Sequence, residues 1–215
     1  MKEILIYGAS GHGSVVLDIV EKSGQYTVAG FIDDGAAADE NNREFYGYPI
    51  LGGIDTLCDI LQKRDVAVVM GIGSIPSRKV LVEKILSAVP DCQFPPVIHP
   101  TAVIARDVQV GQGTVICANA VLNTAANVGE FCIINTAAVI EHDCSVGNWS
   151  MINPNAALGG NTHIGEQCQV CLGASIIHGI NVGDNSTVAS GATCVRDVPE
   201  NTVVMGTPAR PAPSS

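Results

Sequence analysis

Basic residues are what this sequence runs short of. Eleven Lys and Arg stand against 21 Asp and Glu, a formal net charge of -10. A surface of that sign cannot displace counterions from a phosphate backbone, which excludes a general nucleic-acid binder. The shortage is also uneven. No lysine follows Lys84, and beyond it the only cations other than histidine are Arg106, Arg196 and Arg210. Any anionic ligand on the second half of the chain must use these, backbone N–H groups or a neighbouring subunit. No run of eighteen apolar residues occurs, so no membrane span is expected. Met1-Lys2-Glu3-Ile4 opens a strand at once, without a leader pattern, and the expected location is cytoplasmic. In that compartment the eight cysteines are not a disulfide framework, and no metal site is expected. Aromatic residues are only 4% of the chain, so any core is aliphatic.

What fills the second half is a period of six. Stepping by six from Ile98 to Cys194 meets seventeen residues, of which sixteen are Ile, Leu or Val. Four residues after each comes a second phase, from Ala102 to Ala192, and fourteen of its sixteen members are small. A large aliphatic every six residues is the signature of a hexapeptide parallel β-helix, here of five to six coils. The unbroken register leaves no room for a large inserted loop. Cys132, Cys144 and Cys168 fall in the small phase and Cys194 in the aliphatic one, where Cys acts as a small buried hydrophobe. Cys168-Gln-Val-Cys171 looks like a metal or redox pair, but the phase points the two thiols to different places.

The first ninety residues follow another rule. Glu3–Tyr7, Tyr26–Ile32 and Val66–Met70 read as buried strands. Helices are expected around Val15–Val20, over Ile54–Leu61, and over Pro76–Ala88 with Pro in its first turn. Residues 35–47 read as a loop. Alternating strands and helices give a small parallel sheet of Rossmann type. The expected organisation is therefore an α/β domain over 1–90, a link over 91–97, a β-helix over 98–205 and a tail over 206–215.

Ligands of parallel sheets sit at the carboxyl ends of the strands. Gly8-Ala-Ser-Gly11-His-Gly13 follows the first strand, Asp33-Asp34 the second, and Gly71-Ile-Gly73 the third. Glycines admit a phosphate to the backbone, and the helix start favours its charge. The acidic pair can accept sugar hydroxyls. The spacing is G-x-x-G-x-G rather than G-x-G-x-x-G, which favours a nucleotide sugar over NAD. The plainer alternative is a glycine turn that only packs helix on strand.

On the β-helix one coil departs from the run of Asn, Thr, Gln and Gly: Ile140-Glu141-His142-Asp143-Cys144. The three polar residues follow an inward Ile140, so they belong on the outer surface at a turn. A histidine between two carboxylates is favoured in its protonated form, which suits it to take a proton as a general base. The alternative is a solvated turn histidine. His99 at the domain junction, His163 in a surface loop and His178 are weaker candidates.

Together, Tyr7-Gly-Ala-Ser-Gly-His-Gly13, Phe31-Ile-Asp-Asp34, Ile134 to Cys144 and Val204-Met-Gly-Thr-Pro-Ala-Arg210 resemble the two-domain, PglD-like sugar-nucleotide acetyltransferases, the UDP-N-acetylbacillosamine N-acetyltransferase family. The resemblance spans nearly the whole chain. It implies a left-handed β-helix, a homotrimer, and acetyl-CoA lying between adjacent prisms. It implies a UDP-linked amino sugar held by Ser10, Gly11, His12, Asp33, Asp34 and Gly73. It gives His142 the proton from the sugar amine, with Asp143 supporting it and Glu141 beside it. It gives the Gly160 amide the thioester oxygen, and sets Met151, Leu172 and Ser190 along the coenzyme. Two positions depart from the family: Asp143 stands where Glu is typical, and Met151 where a second histidine is typical. Arg196 or Arg210 is the expected cation for a coenzyme phosphate. The expected reaction is direct N-acetylation of a 4-amino group. O-acetylation of a sugar, a nicotinamide oxidoreductase and a non-catalytic scaffold are the competing readings.

Overall fold

The computed structural model describes residues 1–37 and 44–212. Chain contacts divide it into two units, Met1–Ile98 and His99–Ser215.

In the first unit, β1 (Lys2–Tyr7), β2 (Tyr26–Ile32) and a later strand over Ala67–Met70 form a parallel sheet with β1 in the centre. All three are apolar on both sides, and Ile4, Leu5, Ile6, Phe31, Ile32, Val68, Val69 and Met70 are buried. That continuous burial is what a sheet covered on both faces requires. Helix α1 (Gly11–Ser23) buries Val16, Leu17, Ile19 and Val20, ending on Gly24 in the left-handed conformation. The stretch 35–47, read as a loop, holds a helical turn, α2 (Asp34–Ala37), and a small hairpin of β3 (Glu44–Phe45) and β4 (Tyr48–Pro49); residues 38–43 lie outside the described residues. Phe45 packs edge-on against buried Phe31 at 5.1 Å, which ties the hairpin to the sheet. Helix α3 (Ile54–Lys63) runs two residues beyond its expected end, β5 is Ala67–Met70, and α4 (Ile75–Ala88) follows, its first turn capped by Ser74 with Pro76 beside it.

The second unit is a left-handed parallel β-helix. Two-residue strands recur every six residues and stack with the strands eighteen residues away. One face climbs through six rungs from Val103–Ile104 to Thr193–Cys194, and a second through five from Gln109–Val110 to Asn181–Val182. The third includes Val115–Ile116 to Thr187–Val188 and is extended by Val203–Met205 and by antiparallel Arg210–Pro211. The aliphatic phase fills the interior: every member from Ile116 to Cys194 is buried. Only the first coil differs, with Ile104 36% exposed.

Two further columns hold the coils together. Each corner needs one left-handed residue, and fifteen in succession, from Asp107 to Gly191, have positive φ. Asn, Asp and Gly fill most of them, as the steric cost predicts. Phe131 and Trp149 do not, and they stack on each other at 4.5 Å with 6° between their planes. The second column bears out the burial of the small-phase cysteines and adds a role to it. Thr114, Cys132, Ser150, Cys168 and Ser186 stack along the interior and donate to the carbonyls of Gly129, Gly147, Gly165, Gly183 and Pro199. The hydroxyls also accept backbone N–H groups from the next coil, those of Cys132, Cys168 and Thr202. Cysteine is there as a donor as well as a hydrophobe, directed at a carbonyl of the next coil.

Candidate active site

His142 sits at the corner between the strands Val139–Ile140 and Ser145–Val146. Eighteen-residue stacking puts Thr124 below it and Gly160 above it, and the rungs are locked by Asp143 N–H to Thr124 O (3.1 Å) and Asn161 N–H to His142 O (2.9 Å). Neighbouring rungs are about 4.8 Å apart.

Asp143 has φ +59°, the left-handed position of its corner. That conformation turns its carboxylate back onto the preceding residue, and Oδ2 lies 2.8 Å from His142 Nδ1. An acceptor at Nδ1 fixes the proton there and leaves Nε2 with a free lone pair. Both side chains are exposed, 59% and 61%. Glu141 is not the second flank of the histidine that the sequence suggested: it is half-buried and accepts from Asn123 Nδ2 at 2.9 Å, one coil below. Gly160 leaves the space the ring occupies. A Cβ there would lie 2.6 Å from His142 Nε2. The Gly160 N–H donates to no backbone carbonyl among the described residues. Cys144, two residues on, is buried, its Sγ directed at Gly159 O (3.2 Å), and burial pushes its pKa up. A thiol held in that way is a poor nucleophile.

The remaining β-helix candidates lie elsewhere on the prism. Met151 is half-buried on the third face, between Ile133 and Gln169. Leu172 and Ser190 are exposed at the corner between the third and first faces, one coil apart. None of the three shares the His142 corner. Arg196 does, in the last coil, and with Arg210 it lines a cavity of about 140 Å³ walled by Cys194, Val198 and Val204. Of the other histidines, His99 is buried and bonded to Thr101 Oγ1 (2.8 Å). His163 is on a strand rather than in a loop, exposed and bonded to Ser145 Oγ (2.9 Å).

In the first unit the candidates do gather at the carboxyl ends of the strands. Gly8, Gly13 and Gly71 pack against one another so closely that a Cβ on Gly13 would lie 2.0 Å from Gly8 O, and one on Gly71 2.8 Å from Gly13 Cα. Gly11 and Gly73, by contrast, face open space. Ser10 does not cap α1 with its side chain, so that side chain leaves the N–H groups of the first turn open. His12 Nε2 is buried without a partner, and desolvation, with Arg78 second, lowers its pKa to about 4. Asp33 accepts from Ala9 N (2.8 Å) and Gly35 N (3.0 Å), joining the turn after β1 to the end of β2. Asp34 accepts from Tyr7 Oη and from Ile54 N (2.9 Å), joining β1 to the start of α3. Sequence reasoning missed two residues here. Tyr7 is buried, and its phenol is pushed up by desolvation and then by Asp34. Arg78, 1% exposed, donates from Nη1 to Ile72 O and Gly73 O, both at 3.0 Å, and so shapes the loop after β5.

An α/β unit with a glycine-lined strand end, joined to a left-handed β-helix with a histidine–carboxylate pair on one corner, defines a two-domain hexapeptide-repeat protein. Residues 3–85 match the family model of the PglD N-terminal domain. The UDP-N-acetylbacillosamine N-acetyltransferase of Bacillus subtilis (strain 168) is 33% identical over 118 residues, 55% of this chain and 52% of that relative. The match thus spans about half the length of this curated relative. Among solved structures, PerB from Caulobacter crescentus in complex with CoA and GDP-perosamine has a TM-score of 0.89 at 29% identity, covering 99% of this chain and 98% of that one. The acetyltransferase domain of PglB from Neisseria gonorrhoeae FA1090 has a TM-score of 0.86 at 30% identity, covering 99% and 100%. It has also been solved in complex with acetyl coenzyme A. The chain belongs to the PglD-like family of sugar acetyltransferases.

Proposed function

We propose that the chain is an acetyl-CoA-dependent N-acetyltransferase acting on the 4-amino group of a UDP-linked amino-deoxy sugar, with His142 as general base. The observation that carries this reading is the His142–Asp143 pair, 2.8 Å apart on an exposed corner, with the ring seated where a side chain at Gly160 would stand. Acetyl-CoA supplies the acetyl group as a thioester and departs as the free thiol. The residues fit it: the Gly160 N–H lies beside the His142 ring without a backbone acceptor among the described residues, and Arg196 and Arg210 stand at the end of the same unit as cations for its phosphates.

His142 Nε2 takes the proton that the amine sheds as its lone pair bonds to the acetyl carbon. The C–S bond breaks, and the same proton can pass to sulfur, so no net proton is taken up. Asp143 keeps Nδ1 protonated throughout and stabilises the imidazolium while it exists. The Gly160 N–H is the donor for the carbonyl oxygen as charge builds on it. Buried Cys144 takes no part. Ser10, Gly11, His12 and Gly73 receive the nucleotide, His12 as a neutral ring at physiological pH. Asp33 and Asp34 keep the receiving loops in place, each with its oxygens already engaged within the unit.

The protein works as a homotrimer in this reading. Met151, Leu172 and Ser190 lie away from the His142 corner of their own chain, and a neighbouring copy brings such faces together. The test is thiol release from acetyl-CoA over a panel of UDP- and GDP-linked amino sugars with sialic acid as the hydroxyl acceptor. Release with a UDP-linked 4-amino sugar is expected. Release with sialic acid alone would replace N-acetylation by O-acetylation, and release with no acceptor would overturn the reading.

A further inference from the structure

The scarce cations of the β-helix are not scattered. Arg106, Thr124, His142, Gly160, His178 and Arg196 follow one another at intervals of eighteen residues. The flanking strands pair in that register, from Val103↔Val121↔Val139 through Ala157↔Ser175↔Thr193. The six residues therefore stack at one corner. Arg106, His142, His178 and Arg196 are all exposed there. On a chain of net charge -10, two of the three arginines beyond Lys84 thus share a column with the histidine that carries the chemistry.

The column has a direction. Its C-terminal end has Arg196, next to Arg210 around one cavity, and this end is the one read above as taking the coenzyme phosphates. Toward the N-terminal coils Arg106 is the single remaining cation of the column. No ion pair among the described residues engages it. Asp107, the carboxylate next to it in the chain, forms no ion pair with it, and Glu141, two coils on, is bound to Asn123. Arg106 lies two coils from His142, roughly 10 Å along the corner. A 4-amino-pyranose with its amine at His142 carries its anomeric oxygen across the ring, and in a nucleotide sugar the diphosphate begins at that oxygen. The separation between the base and the arginine is thus the length of one sugar ring plus a reach.

We propose that Arg106 recognises the diphosphate of the acceptor and makes the enzyme select a nucleotide-linked amino sugar over the same sugar without the nucleotide. This rests on the N-acetyltransferase reading above. A planar guanidinium suits a diphosphate, which offers it two oxygens at once. The diphosphate does not change charge while the amine is acetylated, so this contact contributes equally to substrate and transition state and acts on KM rather than kcat.

The experiment is steady-state thiol release by the full chain and by Arg106→Ala and Arg106→Lys. Each is measured with a UDP-linked 4-amino sugar and with the uncharged methyl glycoside of that sugar. Arg106→Ala should raise KM for the UDP-linked acceptor by about 10- to 100-fold, the usual worth of charge-assisted hydrogen bonds. Its kcat should stay within about twofold and its KM for acetyl-CoA should not move. Arg106→Lys should fall between, and the methyl glycoside should be used equally by all three proteins. An unchanged KM in Arg106→Ala, or an equal loss on both acceptors, overturns the role given to Arg106 while leaving the N-acetyltransferase reading intact. Failure of the unaltered protein to acetylate any nucleotide-linked amino sugar overturns both.

Discussion

The two units treat their polar residues in opposite ways. In the α/β unit the most conspicuous acids, Asp33 and Asp34, bond Ala9, Gly35, Tyr7 and Ile54, and they hold the loops at the strand ends. In the β-helix His142 and Asp143 face solvent and bond each other, and the coils are tied together by Thr, Ser and Cys of the interior column and by other surface residues, Asn148, Asp184 and Asp197, that accept backbone N–H groups. The difference follows from the folds. A solenoid satisfies most of its backbone by stacking identical rungs, so the His142 corner needs no side chain to hold its coils and leaves the pair exposed. A three-stranded sheet with irregular loops must hold those loops from side chains, and the residues nearest a ligand also serve as struts.

This contrast can be broken first at Gly160. Its backbone does not require glycine, because its φ is not in the positive range that marks the corner residues. Only the His142 ring requires it. Gly160→Ala should therefore leave thermal stability near that of the unaltered protein while displacing the base. The expected loss in kcat is about 10²-fold or more, as for ångström-scale misplacement of a catalytic group. Equal losses in Tm and activity would make Gly160 a strut like Asp34.

The next test falls on His12. Its folded pKa of about 4 lies below the usual histidine value of 6.5. Between those values the unfolded chain binds the proton and the folded one does not, so stability is present above pH 6.5 and is lost as pH falls toward 4. The full effect is roughly 3 kcal/mol. Urea unfolding followed at pH 7 and pH 5 should show the loss in the unaltered protein, and His12→Gln should flatten it. An unchanged slope in His12→Gln would mean that the acid sensitivity arises elsewhere.

The smallest effects belong to the interior column. Ser150 is fully buried, donates to Gly165 O (2.8 Å) and accepts from Cys168 N (2.9 Å). Ser150→Ala strands both partners and should cost about 2 kcal/mol. Cys168→Ser keeps the donor and should stay within about 0.5 kcal/mol of the unaltered chain. Both are read from Tm, and equal shifts for the two would remove the donor role of this column.

How much of this the sequence displays depends on the unit. The period of six separates inside from outside for every residue of the solenoid, and it placed Ile140 and Cys144 in the core and His142 at the surface. What it could not show is which neighbour one coil away a side chain would choose. Glu141 and His142 look alike in sequence, yet Glu141 turns to Asn123, eighteen residues back. Nor does a run of apolar residues reveal that position 143 must be left-handed, which is what aims Asp143 at the imidazole. In the α/β unit the strands and helices follow from local pattern, but Asp34 with Ile54 and Asp33 with Ala9 are contacts across twenty and twenty-four residues. No local period encodes them. Arg78 was hidden for the same reason: within a helix it reads as a surface cation, and only the fold buries it under the loop after β5.

The central claim is that the corner histidine, and not the thiol two residues away, carries the reaction. One measurement addresses it directly: thiol release with a UDP-linked 4-amino sugar by His142→Ala and Cys144→Ala, side by side. Cys144→Ala leaves Gly159 O with the Thr162 hydroxyl at 2.6 Å, so the coil keeps its hydrogen bond. The account predicts a loss of about 10²–10⁴-fold in His142→Ala, the usual worth of a general base, and near-normal turnover in Cys144→Ala. Near-normal turnover in His142→Ala, or abolished turnover in a folded Cys144→Ala, would contradict it.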